Sequence, residues 1–205
     1  MDRILIFDFD GTIVDSKKAY YHAIEKLLGK LGLEKKLADK TIDKGLSLMG
    51  TFKSMGFSRI KSWFLKRKVM KEVLQKVNEV KKCRDVESIR KLKCKKILVS
   101  NSLSEFIFPV LRHLRIEDEF DEIYGADVFE DKETFIQNYI KRNSINKKEC
   151  YYIGDRVKDV IIARNLGIKS IIISNKCSWN SRKEILKEKP DFVLFDLIDI
   201  KEVMD

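Results

Sequence analysis

The stretch ILIFDFDGTI, residues 4–13, constrains the chain more than any other. A short apolar run that ends at a turn-forming glycine reads as a buried parallel strand, which loses both faces to water and shows no polar alternation. Strand and turn account for Gly11. They do not account for Asp8 and Asp10, two carboxylates spaced to lie on the same side of an extended chain. Open parallel sheets bind ligands in the crevice at the carboxyl ends of their strands, so the chemistry is sought in whatever else reaches that level.

Further along, strand-like and helix-like stretches alternate: strands near 96–100, 122–126, 150–153, 169–174 and 191–195, with helices near 104–114, 132–142 and 157–166. Such alternation predicts a parallel sheet covered on both faces, a Rossmann-like three-layer α/β core. The first strand is separated from its relatives by a stretch without strand signals. A helix is expected from Ser16, a possible N-cap, to Lys30, another one or two over residues 34–50, and a long one over residues 57–80 with Ile60, Trp63, Phe64, Met70, Val73, Leu74, Val77 and Val80 recurring at helical spacing. The expected division is a catalytic core of residues 1–16 and 81–205, with a small all-α insertion of residues 17–80.

Charge separates the same two parts. The chain carries a net charge of +10, and residues 17–80 alone hold 16 Lys and Arg against 6 Asp and Glu, so the flanks cancel. With 44% apolar and 36% charged residues, a soluble globular protein is expected. No run approaches the roughly 20 apolar residues of a membrane span and no signal-peptide layout opens the chain, so a cytoplasmic location is expected. Cys83, Cys94, Cys150 and Cys177 form no CxxC pair and there are two histidines, which argues against zinc clusters and disulfide frameworks. A P-loop GxxxxGK[ST] and a GxSxG elbow are both absent, excluding P-loop kinases and serine hydrolases of that type.

At the level of Asp8 and Asp10, the second core strand ends in Ser100 and Asn101, Lys132 begins the helix after the third, and the fourth ends in Gly154 and Asp155, with Asp159 four residues on. Several carboxylates in one crevice are costly without a cation. Oxygen ligands without histidine or thiolate favour magnesium over zinc. Ser100, neighbouring backbone N–H groups and Lys132 offer donors and positive charge to an anion, and Gly11, Thr12 and Asn101 complete the phosphate-binding set. A metal, a carboxylate nucleophile, a second carboxyl group and a phosphate-shaped donor set point to phosphoryl transfer through an aspartyl-phosphate. Asp8 would attack phosphorus; Asp10 would protonate the leaving oxygen and then activate water.

The order DFDGT (8–12), Ser100-Asn101 after an apolar strand, Lys132, then GDRVKD (154–159) resembles the haloacid dehalogenase superfamily, in its phosphatase branch with a helical cap inserted after the first motif, as in phosphoglycolate phosphatases and β-phosphoglucomutase-like enzymes. The resemblance covers residues 1–16 and 82–175. It implies Asp8 as nucleophile, Asp10 as general acid and base, and Ser100 and Lys132 holding the phosphoryl group. Magnesium would be held by Asp8, the backbone carbonyl of Asp10 and Asp155, with Asp159 orienting the ligands or waters around it. Many relatives follow the lysine with proline, where this chain has Glu133. The insertion falls where the family places its substrate-selecting cap, which makes Lys44, Ser47 and His22 candidate substrate contacts.

The substrate class expected is a small phosphorylated metabolite, hydrolysed by a monomer or weak homodimer without a membrane. The stretch Lys44-Gly45-Leu46-Ser47 looks like the substrate-facing turn of sugar-phosphate mutases, but those continue with an arginine, and Leu48 in its place favours a hydrolase over a phosphotransferase. Trp63 and Phe64 are expected to pack within the insertion. A nucleic-acid-associated protein gripping a backbone with its basic insertion is the other alternative; it lacks an RNP-type sheet, a helix-turn-helix or a zinc module.

Overall fold

The computed structural model describes residues 3–33 and 48–204. Strand β1 (Ile4–Phe7) lies inside a six-stranded parallel sheet, flanked by β4 (Lys95–Val99) and β6 (Cys150–Gly154), with β5 (Glu122–Tyr124) beyond β4, and β7 (Lys169–Ile173) and β8 (Phe192–Leu194) beyond β6. Ile4 is in register with Lys95 on one side and Cys150 on the other. Leu5, Ile6 and Phe7 are all buried because both sheet faces are covered.

Period-two alternation divides the core between those faces. Leu5, Phe7, Leu98 and Ile153 face α4 (Ser104–Leu114), through Phe106, Ile107, Val110 and Leu111. Ile6, Ile97, Val99 and Tyr152 face α5 (Lys132–Arg142) and α6 (Val157–Leu166), through Ile136, Ile140, Ile162 and Leu166. The three layers expected from the sequence are therefore present. Two short helices, α7 (Arg182–Lys187) and α8 (Ile200–Met204), complete the carboxyl-terminal part.

The described residues between 17 and 80 contain no strand. They form α1 (Lys17–Lys30), α2 (Leu48–Ser54) and α3 (Arg59–Leu74), followed by a 3-10 turn at Val77–Glu79. A two-stranded antiparallel ribbon, β2 (Val14–Asp15) with β3 (Lys81–Lys82), brackets the excursion where the chain leaves and returns. The apolar faces of the three helices, with Ala23, Ile24, Phe52, Val69 and Val73, belong to the same buried cluster as Leu5 and Phe7, so the insertion extends the core.

The long helix differs from its sequence reading. It stops at Leu74, and the residues it buries are Ser62, Leu65, Val69, Met70 and Val73. Ile60, Trp63 and Phe64 are 73%, 45% and 55% exposed, so the expectation that Trp63 and Phe64 pack within the insertion is corrected. Both sets satisfy three- and four-residue spacing; the smaller side chains took the side facing α1 and α2. The aromatics shield one another instead, with Trp63 and Phe64 edge-to-face at 4.9 Å and the Arg67 guanidinium 4.9 Å from the Trp63 ring.

Candidate active site

After Phe7 the chain makes a tight turn. The Asp8 N–H donates to the Ile153 carbonyl at 2.8 Å, and the Phe9 carbonyl accepts from Ile13 and Val14 at 2.9 and 3.1 Å. Gly11 carries φ of +86°, and a Cβ there would collide with Trp179 and the Asp155 carboxylate, so the turn requires glycine on two counts.

Asp8 and Asp10 leave this turn with different partners. Lys132, buried at the first turn of α5, donates to Asp8 Oδ1 at 2.7 Å and lies 5.3 Å from the centre of the Tyr152 ring. Asp10 is held by two hydroxyls, Ser16 on Oδ1 and Ser102 on Oδ2, both at 2.5 Å, and the Tyr20 hydroxyl meets Ser102 Oγ at 2.7 Å. Ser16 occupies the N-cap position of α1, yet its side chain serves Asp10 and makes no cap bond, which replaces the capping role expected for it. Burial raises the Asp10 carboxyl above its usual range, and the charge of Asp8 adds to the rise against the lowering effects of Ser102, Ser16 and Arg156.

Asp8, Asp155 and Asp159 bring carboxylate oxygens within 4.8 Å of one another, all buried. Asp155 accepts from the Trp179 N–H at 2.5 Å and from the Thr12 hydroxyl at 3.4 Å. Asp159 is fixed by the start of α6: its Oδ2 accepts from the N–H groups of Asp155 and Arg156 at 3.0 and 2.9 Å. The carboxylate thus caps the helix and enters the cluster at once. A Cβ on Gly154 would strike the Asp159 carboxylate, so that approach also needs glycine. Burial raises Asp155 well above the carboxylate range, with Asp159 and Asp8 adding repulsion and Arg156 opposing it. Asp159 rises by burial and then by the charge of Asp8, opposed by Lys132.

Ser100 is buried, and its hydroxyl accepts from the Ser102 N–H at 3.0 Å. Asn101 is exposed and lines a cavity of about 400 Å³ between the sheet's carboxyl end and the helical insertion. Asp10, Lys132, Arg156, Lys158 and Trp179 line the core side of that cavity, and Tyr20, Ile24, Leu48, Lys66 and Met70 the side of the insertion. His22 is exposed on α1, influences Glu72 and does not join the lining. Lys44 and Ser47 lie outside the described residues.

Sequence reasoning missed Ser16, Ser102, Tyr20 and Trp179. The motif reading stopped at Asn101, one residue short of Ser102, and Ser16 was read only as a helix start. Nothing along the chain ties Trp179 to Asp155; that contact exists only because β7 lies beside β6.

A Rossmann-like sheet with carboxylates at the ends of β1 and β6, a buried lysine between them, and a helical excursion directly after the first strand defines a class of α/β hydrolases. The chain belongs to the haloacid dehalogenase-like hydrolase family, whose model matches residues 5–173. It is 28% identical to the phosphoglycolate phosphatase of Aquifex aeolicus, with 99% of this chain and 97% of that protein covered. It is 23% identical to a 5'-nucleotidase of Pseudomonas aeruginosa over 98% of this chain and 95% of that one. Among solved structures, a haloacid dehalogenase-like hydrolase from Streptococcus pneumoniae superposes with a TM-score of 0.84 at 18% identity, covering 100% and 99% of the two chains, and shows the shared fold. No described helix is long and apolar enough to cross a membrane.

Proposed function

We propose that the protein is a magnesium-dependent phosphatase that hydrolyses a small phosphorylated metabolite through an aspartyl-phosphate on Asp8. The observation that carries this reading is the unequal holding of two neighbouring carboxylates: Asp8 on a buried lysine, Asp10 in a cradle of two hydroxyls where burial raises its carboxyl. Relatives named as phosphoglycolate phosphatase and 5'-nucleotidase support the same reaction class.

Lys132 holds Asp8 Oδ1, leaving Oδ2 to attack phosphorus, and its charge then neutralises the phosphoryl oxygens. Asp10, its carboxyl raised by burial, acts as the acid toward the leaving oxygen and as the base toward the attacking water. A hydroxyl both donates and accepts, so Ser16 and Ser102 hold Asp10 in either protonation state, and Tyr20 supplies Ser102 with a partner in each. Ser100 holds the turn that places Ser102, with Gly11, Thr12 and Asn101 completing the surround of the phosphoryl group.

Three buried carboxylates this close together suit a hard divalent cation with oxygen ligands. Asp8, the Asp10 carbonyl and Asp155 would hold magnesium, with Asp159 orienting them. When bound, the ion neutralises the carboxylates and draws charge from the phosphate.

Leu48 lines the cavity where a mutase would need a second cationic clamp, which supports hydrolysis over transfer. Lys66 and Met70 give the insertion both a charged and an apolar contact with substrate, the cap role expected for residues 17–80. A cytoplasmic enzyme, monomeric or weakly dimeric, belongs to this proposal. The test is release of phosphate from a generic aryl phosphate, with and without magnesium, by wild type and Asp8→Asn. Magnesium-dependent release lost in the variant is expected; equal release by both proteins would overturn the nucleophile.

A further inference from the structure

Lysine and arginine crowd the second half of the helical insertion. Residues 48–71 carry seven of them and no Asp or Glu. The one carboxylate of α3, Glu72, is engaged elsewhere, paired with Lys26 and Lys30 of α1 at 2.5 and 3.8 Å. Arg59, Lys61, Arg67, Lys68 and Lys71 are exposed, and none of these five meets a carboxylate among the described residues.

The same helix leaves apolar surface in water. Its core side is taken up by Ser62, Leu65, Val69, Met70 and Val73. On the other side Ile60, Trp63 and Phe64 stand about one turn apart, and Ile60 is the most exposed large hydrophobic residue among those described. Arg67 and Lys71 continue this stripe at helical spacing, with Lys61 and Lys68 along one flank and Arg59 on the other. The convex outer face of α3 therefore presents an apolar centre ringed by cations. Single apolar residues scattered over a surface need no explanation, whereas adjoining ones mark a binding face.

We propose that this face docks the protein onto an anionic lipid bilayer. Ile60, Trp63 and Phe64 enter the boundary between headgroups and acyl chains, and the five cations meet lipid phosphates, their long stems lying along the apolar centre. A cluster of this size on a helix with an apolar face is the recognised signature of anionic-lipid binding. The protein would lie on the bilayer without crossing it, since no described helix is long and apolar enough to span one. Adsorption was not legible in the sequence, which packs Trp63 and Phe64 within the insertion. Lys66 and Met70 reach the cavity from the other side of the helix, so a docked α3 keeps its part in the active site.

The charge and the ring geometry decide against other occupants. A second copy meeting this face across a two-fold axis would set like charges against one another. Single-stranded nucleic acid stacks its bases on open ring faces, but Trp63 and Phe64 stand at 80° to each other, Arg67 lies over the Trp63 ring, and Ile60 has no ring to offer. Protein interfaces are depleted in lysine, and three of the five cations are lysines. A bilayer surface accepts apolar side chains in any mutual orientation and needs no fixed partner for each cation.

The experiment sediments the full-length protein with vesicles of phosphatidylcholine alone, or of phosphatidylcholine and phosphatidylglycerol in equal parts. Binding is expected to the anionic vesicles only, and it should fall as salt rises. Trp63→Ala or Ile60→Ser should weaken it by about tenfold, and Lys68→Ala by about fivefold. Lys183→Ala, an exposed lysine on α7, should bind as wild type does, which separates this face from the net charge of the whole chain. Circular dichroism checks that each variant is folded. Equal binding to both kinds of vesicle, no binding to either, or equal losses from Trp63→Ala and Lys183→Ala would overturn the proposal. So would a protein that leaves the vesicles unbound and instead holds single-stranded RNA, or dimerises, through Trp63. Sedimentation reads no turnover, so this result stands apart from the phosphatase assay.

Discussion

The turn after β1 and the outer face of α3 are both rich in charge, yet they use it in opposite ways. At the turn, Asp8, Asp155, Asp159 and Lys132 are buried and each is fixed by a named donor or acceptor. On α3, Lys61, Arg67, Lys68 and Lys71 are exposed on the helix that carries Trp63 and Phe64, and Lys61 and Arg67 lie over ring faces, of Phe57 and Trp63. Charge removed from water must be paired, and pairing fixes position; charge left in water costs little and fixes little. Of the cations on α3, Lys66 is the one that lines the cavity, half-buried beside Met70.

Substitutions sharpen this contrast, beginning at the buried end. Asp8→Asn should abolish turnover while the protein still folds, as checked by circular dichroism beside the phosphate assay. Asp10→Asn should lower kcat by about 10² to 10⁴ with little change in KM, the signature of a lost general acid and base. A fall in kcat below tenfold would place the proton transfer elsewhere.

Packing gives the next effect. Leu65→Ala, on the buried side of α3, should cost about 2–5 kcal/mol in denaturant unfolding, whereas Trp63→Ala on the exposed side should stay within about 0.5 kcal/mol. Similar losses from both would mean that the outer face of α3 is covered in solution.

Magnesium probes the carboxylate cluster directly. At a hundredfold excess over its Kd the ion should stabilise the fold by about 2.7 kcal/mol. Because Asp10, Asp155 and Asp159 have raised values in the folded state, the stability they contribute is full below the unfolded value of about 3.9 and is lost as pH rises through the folded values. Metal-free wild type should therefore lose Tm relative to Asp155→Asn as pH climbs toward neutral, and the rise in Tm on adding magnesium should be largest at neutral pH. A magnesium effect that grew toward acid would contradict the cluster.

The smallest effect belongs to the exposed cations. Lys68→Ala should leave kcat/KM unchanged, whereas Lys66→Ala should raise KM and leave kcat nearly as it was, the pattern of lost substrate binding. Equal behaviour of the two variants would remove the distinction between the face of α3 that lines the cavity and the face that does not.

The core was legible because its signals were redundant. β1 is a run of apolar residues that no helix of that length could explain, and the helices at 104–114, 132–142 and 157–166 fall where their spacing put them. Asp8, Asp155, Asp159 and Lys132 meet because parallel strands present their carboxyl ends to one crevice. What lay hidden depended on contacts between distant segments. Ser16 could be read as a cap, since serine at a helix start is common, but its bond to Asp10 follows from the path of the turn. Trp63 and Phe64 outweighed Ser62 and Val69 in the periodicity, although hydrophobic size alone does not say which face of a helix meets the core.

The position of β1 has a consequence for how the molecule comes into being. Strand β1 pairs with Lys95–Val99 and Cys150–Gly154, both synthesised well after it. Until then Leu5, Ile6 and Phe7 have no permanent neighbours, and such distant pairings slow folding. A newborn chain therefore carries Asp8 at the end of an unpaired, sticky strand until those segments are made, which makes this segment the natural object of chaperone protection.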